Sequence, residues 1–280
     1  MIRLVALDVD GTLLDQRGRI PAANLDALHE AAARGIHLAV VTGRSQPFVL
    51  PAVAALPDPL ILVVYNGAVA RVRGGDTLVR RTIDEGLAAR VLAHTRAWRD
   101  ATTVQFDRLD AGQTLFDRLS WDHPNRSGYY AKVREHVSQV DDLEAAMAGA
   151  EPVQVAFNGP TAAMRRLHGD LAALPDVAAL SVSATHYPSR DFSLVDVNAA
   201  GATKGHTLAA VAAHLGVARD EVFAIGDNHN DIDMLQWAGT GVVMGNAEPE
   251  LLELGLPIAP PNDHAGLAAA LRKHVLAASG

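Results

Sequence analysis

The hydrophobic pattern divides the chain into two kinds of region. In the first kind, near-continuous apolar runs alternate with segments of helical periodicity, as expected for parallel strands that are covered on both faces. The predicted buried strands are RLVALDV, IHLAVVTG, PLILVVYNG, EVFAIGD and GTGVVMG, and the helices around them include PAANLDALHEAAARG and TKGHTLAAVAAHLG. This alternation predicts an α/β fold with a Rossmann-like, doubly wound parallel sheet.

The middle of the chain follows a different pattern, with short segments that alternate apolar and polar positions. The predicted strands are TTVQF, QTLF, GYYAKV, PVQVAF, LSVSAT and FSLVDV, and the predicted helices are IDEGLAARVLAHTRAW, VDDLEAAMAG and TAAMRRLHGDLAAL. Such alternation is typical of an antiparallel sheet with one face covered by helices. We therefore predict an α+β domain over residues 83–190, inserted into a core formed by residues 1–82 and 191–280.

Composition excludes several classes of function. The 280 residues carry 24 Lys and Arg against 32 Asp and Glu, a net charge of -8 that lacks the basic footprint of a nucleic-acid binder. There is no cysteine, which excludes disulfides, thiolate nucleophiles and cysteine-based metal sites. We expect no signal peptide, no membrane-spanning segment and a cytoplasmic location. The pattern does not predict an oligomeric state.

Four short segments carry the candidate chemistry, namely DVDGT, VVTGR, ATKG and AIGDNHNDIDM. In an open α/β sheet, ligands bind beyond the carboxyl ends of the strands, where three of these segments lie. If the strands are adjacent, Asp8, Asp10, Thr42 and Asp227 converge, and Lys204 reaches them from the start of its helix. Two neighbouring aspartates at the end of an apolar strand are electrostatically costly unless a cation offsets their charge. The segments therefore predict a Mg²⁺ site.

Each residue type has a chemical reason to be present. Mg²⁺ prefers oxygen ligands, which the carboxylates of Asp8 and Asp227 and the main-chain carbonyl of Asp10 supply. Lys204 provides the positive charge that a phosphoryl group needs as it is transferred, and Asp231 orients its neighbours. The candidate phosphate-binding residues are Asp8, Gly11, Thr42, Gly43, Arg44, Asn66, Lys204 and Asn230.

The two leading aspartates have separate predicted roles. Asp8, held on the metal, is the nucleophile that forms an aspartyl-phosphate. Asp10 donates a proton to the leaving alcohol and later accepts one from water. Together with Lys204 they form the predicted catalytic set.

In these four segments the chain resembles the haloacid dehalogenase-like (HAD) hydrolase superfamily. The segments NGA at residues 66–68, GDNHNDIDML, AGTGVVMGNA and NDHAGLAAAL resemble its Cof-type (IIB) branch. Asp8 matches the family's nucleophile, Asp10 its acid/base, Thr42 its phosphate-binding threonine, Lys204 its charge-stabilising lysine and Asp227 its metal carboxylate. The resemblance implies a Mg²⁺-dependent phosphatase for a small phosphorylated metabolite, with a sugar phosphate favoured, and a cap domain that sets specificity.

Alternatives remain open at this point. The chemistry also suits a phosphomutase or phosphotransferase, a phosphorylation switch, or a non-catalytic phosphate-binding protein. Arg44 suits a surface ion pair as well as a substrate contact, and Asn66 suits a simple turn. In the inserted domain, the candidates for substrate contact are Trp121, His123, Tyr129, Tyr130, His186 and Arg190.

Overall fold

The computed structural model describes residues 1–187 and 190–277. The strands are β1 (Leu4–Leu7), β2 (His37–Val41), β3 (Leu60–Val64), β4 (Val69–Val72), β5 (Thr77–Arg80), β6 (Thr102–Gln105), β7 (Thr114–Phe116), β8 (Val137–Gln139), β9 (Gln154–Gly159), β10 (Leu180–Tyr187), β11 (Phe192–Ala199), β12 (Val222–Gly226), β13 (Thr240–Met244) and β14 (Ile258–Ala259). The helices are α1 (Ala22–Ala33), α2 (Gln46–Val49), α3 (Glu85–His94), α4 (Pro124–Ala131), α5 (Leu143–Met147), α6 (Thr161–Ala172), α7 (Lys204–His214), α8 (Ile232–Trp237), α9 (Pro249–Leu252) and α10 (Gly266–His274). Within the described ranges, no helix combines the length and the apolar character needed to cross a bilayer.

The chain divides into two compact units. The first comprises Met1–Ser45, Val49–Arg80 and the chain from Thr203 onward, and the second comprises Gln46–Phe48 and Arg81–Ala202. The second unit extends beyond the predicted boundary at residue 190. The reason is that β11 pairs antiparallel with both β10 and β9, so it completes the second sheet.

The first unit is built on an eight-stranded sheet in the order β14-β13-β12-β1-β2-β3-β4-β5. The six strands from β14 to β3 are parallel, which confirms the predicted fold class. The apolar pattern did not predict the antiparallel hairpin of β4 and β5, which forms one edge. Side chains of β1 such as Leu4 and Ala6 are fully buried and pack with Leu208 and Val211 of α7.

The second unit contains a six-stranded sheet in the order β10-β11-β9-β6-β7-β8. It is antiparallel except for the parallel pair β7–β8. Its apolar face, which includes Val104, Val155 and Val195, packs against residues of α3 and α6.

One predicted strand of this unit, GYYAKV, is wrong because Gly128–Ala131 belong to α4. Pro124 stands in the first turn and the His123 side chain accepts a hydrogen bond from the Asn125 backbone amide, so the helix has both start signals. Arg126 and Tyr130, four residues apart, form its buried face.

Candidate active site

The site lies at the carboxyl ends of three adjacent strands. In the register of the sheet, Leu7 of β1 pairs with Ile225 of β12 on one side and with Val40 of β2 on the other. Asp8 follows β1 directly, Thr42 follows β2, and Asp227 follows β12. Because parallel strands end at the same edge of a sheet, the fold brings together segments that are more than 200 residues apart in sequence.

A buried lysine joins the carboxylates. The Lys204 ammonium donates to Oδ1 of Asp8 at 2.7 Å and to Oδ1 of Asp231 at 2.5 Å. Oδ2 of Asp231 accepts the backbone amides of Asp227 and Asn228, each at 3.0 Å. Both oxygens of Asp231 are thus engaged, so this residue holds Lys204 in place against Asp8.

The carboxylates outnumber the positive charge. Oxygens of Asp8, Asp227 and Asp231 lie within 4.8 Å of one another. Burial raises the pKa of Asp8 to about 7; Lys204 opposes this shift, and the charges of Asp231 and Asp10 reinforce it. Burial, followed by the charge of Asp8, also raises the pKa of Asp227 well above its ordinary value. Burial acts to lower the pKa of Lys204, but the charges of Asp231 and Asp8 outweigh it and raise that pKa.

This group of oxygens fits a divalent cation. Lys204 contacts Oδ1 of Asp8, and the Thr12 hydroxyl donates to Oδ1 of Asp227 at 2.8 Å. Among the described residues, this leaves Oδ2 of both aspartates for a metal ion. One ammonium cannot balance three buried carboxylates, so a hard cation with oxygen ligands would offset their remaining negative charge.

We expect the stability of the metal-free protein to decrease with rising pH. The folded-state pKa of Asp8 lies above its ordinary value of 3.8, so its contribution is fully present below about pH 4 and is lost as pH rises through about 7. In EDTA, the melting temperature should fall by about 3 °C or more between pH 5 and pH 8, and Mg²⁺ should restore it mainly at pH 8. The Asp8→Asn variant is the control, and an equally steep profile in that variant would contradict the assignment to Asp8.

Asp10 stands apart from the lysine-centred cluster. Its carboxylate accepts two hydrogen bonds from Arg44, one from Nε at 2.7 Å and one from Nη2 at 2.6 Å. The Arg44 side chain is 14% exposed and that of Asp10 is 38% exposed. A bidentate pair of this kind fixes the orientation of both groups. The structure therefore places Arg44 in an ion pair with Asp10, one of the two roles that its sequence position allowed.

The remaining candidate phosphate-binding residues contact one another. Thr42 is buried, and its main-chain carbonyl accepts the Asn66 backbone amide at 3.1 Å. The Asn230 side-chain amide donates to Oδ1 of Asn66 at 2.8 Å. A Cβ placed on Gly43 would lie 3.0 Å from the same oxygen. Thus Thr42, Gly43, Asn66 and Asn230 form one continuous group.

The turn after β3 supports this group. Tyr65 and Asn66 both have φ of 53° and Gly67 has φ of 100°, a left-handed conformation that is costly for the two non-glycine residues. The Gly67 carbonyl accepts the Thr207 hydroxyl of α7 at 2.6 Å. A Cβ on Gly67 would lie 2.3 Å from the Thr203 carbonyl, so only glycine allows α7 to approach this closely. The turn therefore couples Asn66 to the helix that begins with Lys204.

Gly11 is required for a similar reason. Its φ is +86°, and an added Cβ would lie 2.2 Å from Oδ2 of Asp227. Gly11→Ala should therefore displace the Asp227 carboxylate and reduce turnover by about 100-fold, the usual effect of a 1 Å misplacement. Gly18→Ala is a matched control because Gly18 has φ of +70° with open space around it. Equal turnover in the two variants would show that the close approach of Gly11 to Asp227 is not required for turnover.

Two residues that sequence reasoning did not assign also support the site. The Thr12 hydroxyl donates a hydrogen bond to Asp227, and the sequence marked Thr12 only by its place in the segment DVDGT. Asp233 accepts the Gly205 backbone amide at 2.9 Å at the start of α7. The sequence placed Asp233 on a helix but contained no signal that this helix would lie against Gly205, because that contact joins separate segments.

The six candidates in the second unit mostly make contacts within it. Tyr130 is buried in an apolar cluster with Phe116, and Tyr129 lies 4.4 Å from the ring of Phe48. His186 is hydrogen-bonded to Ser193 at 2.9 Å. The other three candidates are Trp121, His123 and Arg190. Trp121 lies against the ring of Phe116, and Arg190 lies over the ring of Tyr187. His123 caps α4 and lies against the ring of Phe192.

Comparison with known proteins identifies the family. The family model for haloacid dehalogenase-like hydrolases matches residues 5–271. The chain is 28% identical over 292 residues to the putative phosphatase YxeH of Bacillus subtilis, covering 99% of this chain and 100% of that protein. It is 30% identical over 258 residues to the HMP-PP phosphatase of Citrobacter koseri, covering 90% of this chain and 87% of that protein.

A solved structure agrees with these matches. BT1666 of Bacteroides thetaiotaomicron, described among the phosphatases of the HAD superfamily, superposes with a TM-score of 0.78 at 28% identity. The superposition covers 98% of this chain and 95% of that one. The match of the family model over nearly the whole chain, the similar proteins and the shared fold agree with the four motifs. The chain belongs to the haloacid dehalogenase-like hydrolase family.

Proposed function

We propose that this protein is a Mg²⁺-dependent phosphatase that hydrolyses a small phosphorylated metabolite through an aspartyl-phosphate. The observation that carries the proposal is the buried Lys204, which bridges Asp8 and Asp231 beside Asp227. A buried positive charge among carboxylates at the carboxyl edge of a parallel sheet suits the transfer of a phosphoryl group. The family and the names of its relatives support the same class of reaction.

The residues divide the reaction into two steps. In the first, a carboxylate oxygen of Asp8 bonds to phosphorus and the bond to the leaving oxygen breaks. Asp10, protonated once Arg44 has turned from it to the phosphate, gives that oxygen a proton. In the second, Asp10 takes a proton from water, whose oxygen attacks phosphorus and releases inorganic phosphate from Asp8. The Lys204 charge lies 2.7 Å from Asp8, so it is placed to stabilise the transferring group in both steps.

Mg²⁺ would be held by Asp8, Asp227 and the main-chain carbonyl of Asp10. When bound, it would neutralise charge on the phosphate and keep Asp8 ionised. The phosphate itself would contact Thr42, Gly43 and the neighbouring group of polar side chains. That group comprises Arg44, Asn66 and Asn230.

We further propose that the second unit is a cap that determines substrate specificity. The face of its sheet opposite the apolar core includes Thr103, Gln105, Gln154 and Asn198, which are neutral hydrogen-bonding groups, together with the carboxylate of Asp196. Gln154 donates to Asn198 at 3.3 Å, and Thr103 accepts from Tyr130 at 3.4 Å. Neutral amides and hydroxyls suit the hydroxyl groups of a sugar phosphate. The name of the HMP-PP phosphatase relative makes HMP-PP a further substrate to test.

A phosphate-release screen tests the proposal. Purified protein would be incubated with sugar phosphates, nucleotides and phosphorylated cofactors, with Mg²⁺ or with EDTA. We expect release of inorganic phosphate only with Mg²⁺ and with the fastest rates on sugar phosphates. No release from any substrate would reject the phosphatase.

The screen also separates the alternatives. Conversion of a hexose 1-phosphate to its isomer without phosphate release would indicate a phosphomutase. A stable aspartyl-phosphate after acetyl phosphate treatment, with negligible turnover, would indicate a phosphorylation switch. Phosphate binding without any phosphoryl transfer would indicate a binding protein.

A further inference from the structure

The catalytic turn at residues 10–14 is attached to the far end of the chain by asparagine side chains. The Asn246 amide donates to the Gly11 carbonyl at 2.9 Å. The Asn262 amide donates to the Leu14 carbonyl at 2.7 Å. These two asparagines lie in the segments AGTGVVMGNA and NDHAGLAAAL, to which the proposed chemistry assigns no role.

Both ends of the Asn246 amide group are used in this attachment. Oδ1 of Asn246 accepts the Asn262 backbone amide at 2.8 Å, while its amide nitrogen serves Gly11. Asn24 repeats the arrangement, because its amide donates to the Leu13 carbonyl at 3.3 Å and its Oδ1 accepts the Ala268 backbone amide at 3.0 Å. An uncharged amide can donate to one segment and accept from another, whereas an aspartate of the same shape only accepts and would lose half of the link.

The hydrogen bond to Gly11 orients one peptide group of the turn. Because the peptide is planar and trans, a Gly11 carbonyl directed at Asn246 leaves the Thr12 N–H pointing the opposite way. The Thr12 hydroxyl contacts Asp227 at 2.8 Å. A peptide flip at this point would move Thr12 and disturb its hydrogen bond to Asp227.

We propose that Asn246 is a positioning residue for the catalytic turn, with Asn262 and Asn24 completing the attachment. Asn246 fixes the peptide between Gly11 and Thr12 and thereby keeps the Thr12 hydroxyl on Asp227. The C-terminal segments are then part of the active-site architecture although they touch no reacting atom. This inference rests on the proposed phosphatase function.

The test compares Asn246→Ala, Asn246→Asp and Gln16→Ala. Gln16 is exposed, and its amide lies 3.5 Å from Asp263, so it links the same two segments without binding the carbonyls of the turn. Four quantities would be measured for each variant: kcat and KM on an aryl phosphate with Mg²⁺, the Kd for inorganic phosphate by calorimetry, and the melting temperature. Asn246 is exposed, so its replacement should not prevent folding.

We expect kcat of both Asn246 variants to fall roughly 10- to 100-fold relative to Gln16→Ala, because the turn loses its orientation. The Kd for phosphate should rise by about tenfold, with melting temperatures close to that of the control. Asn246→Asp should be no better than Asn246→Ala, although it retains the acceptor for the Asn262 amide.

Two outcomes would overturn the inference. One is kcat and phosphate Kd within about twofold of the Gln16→Ala values. The other is a decrease in kcat that follows the melting temperature while the phosphate Kd stays unchanged, which would mark a purely structural link. Wild-type protein that binds phosphate but hydrolyses no ester would reject the phosphatase function alone, and the phosphate Kd of the variants would still decide the role of Asn246.

Discussion

Asp8→Asn is expected to abolish turnover and the formation of an aspartyl-phosphate while leaving the fold intact. The amide has the shape of the carboxylate, so Lys204 keeps a partner at the position of Oδ1. An amide oxygen is a poor nucleophile toward phosphorus, so the covalent step cannot begin. Phosphate release and acid-quenched labelling with a radioactive phosphate ester would measure the two losses.

The fold of this variant provides an internal check. The buried carboxylates repel one another, and the pKa of Asp8 is raised to about 7, so removing its charge should preserve or increase the melting temperature. Asp26→Asn, on the exposed side of α1, is the matched control and should behave as wild type. Substantial Mg²⁺-dependent hydrolysis by Asp8→Asn would exclude Asp8 as the nucleophile.

Asp10→Asn is expected to slow turnover by roughly two to four orders of magnitude, the usual contribution of general acid–base catalysis. The loss should depend on the leaving group. An alkyl phosphate needs a proton on its departing oxygen, whereas an aryl phosphate with an acidic phenol departs without one. Steady-state rates of Asp10→Asn would be measured on a series of phosphate esters with different leaving groups. Relative to wild type, the rates should fall further for the alkyl esters than for the aryl esters.

The ion pair between Asp10 and Arg44 requires a separate control. Arg44→Gln removes the bidentate partner but leaves the Asp10 carboxyl group in place. It should therefore retain the leaving-group dependence of the wild type. A defect of Asp10→Asn that is the same for every leaving group, or that is matched by Arg44→Gln, would assign Asp10 to positioning instead of proton transfer.

Much of the first unit could be predicted because its strands are buried on both faces. A run such as RLVALDV has no other stable environment in a protein of this composition, and its strand is observed at Leu4–Leu7. The helix after ATKG was predicted from its cap, and Thr203 does accept the His206 backbone amide. Local signals sufficed here because propensity, capping and burial agreed.

The second unit was less predictable because its segments are short and half-polar. GYYAKV alternates as a strand would, yet Pro124 and the neighbouring cap start a helix whose buried face spans Arg126 and Tyr130. The predicted boundary, after residue 190, leaves β11 out of the second unit, because no change of composition marks the return to the first unit. Only the pairing of β11 with β9 and β10 shows where the unit ends.

The sequence by itself determined which residue types are available at the candidate site and the rule that brings them together. Asp8, Thr42 and Asp227 each follow an apolar run, and adjacent parallel strands necessarily end at one edge. That reasoning needs only residue type and order. It also led to the resemblance to the family, which the match of the family model over residues 5–271 confirms.

Tertiary structure alone decided which side chains are partners. Arg44 pairs with Asp10, Lys204 bridges Asp8 and Asp231, and Asn246 reaches back to Gly11 from the other end of the chain. Such choices depend on distances of about 3 Å between segments that are far apart in sequence, and no local pattern encodes them. The motifs therefore indicate which chemistry is available, and the packing of the first unit decides which group holds each of the candidate catalytic residues.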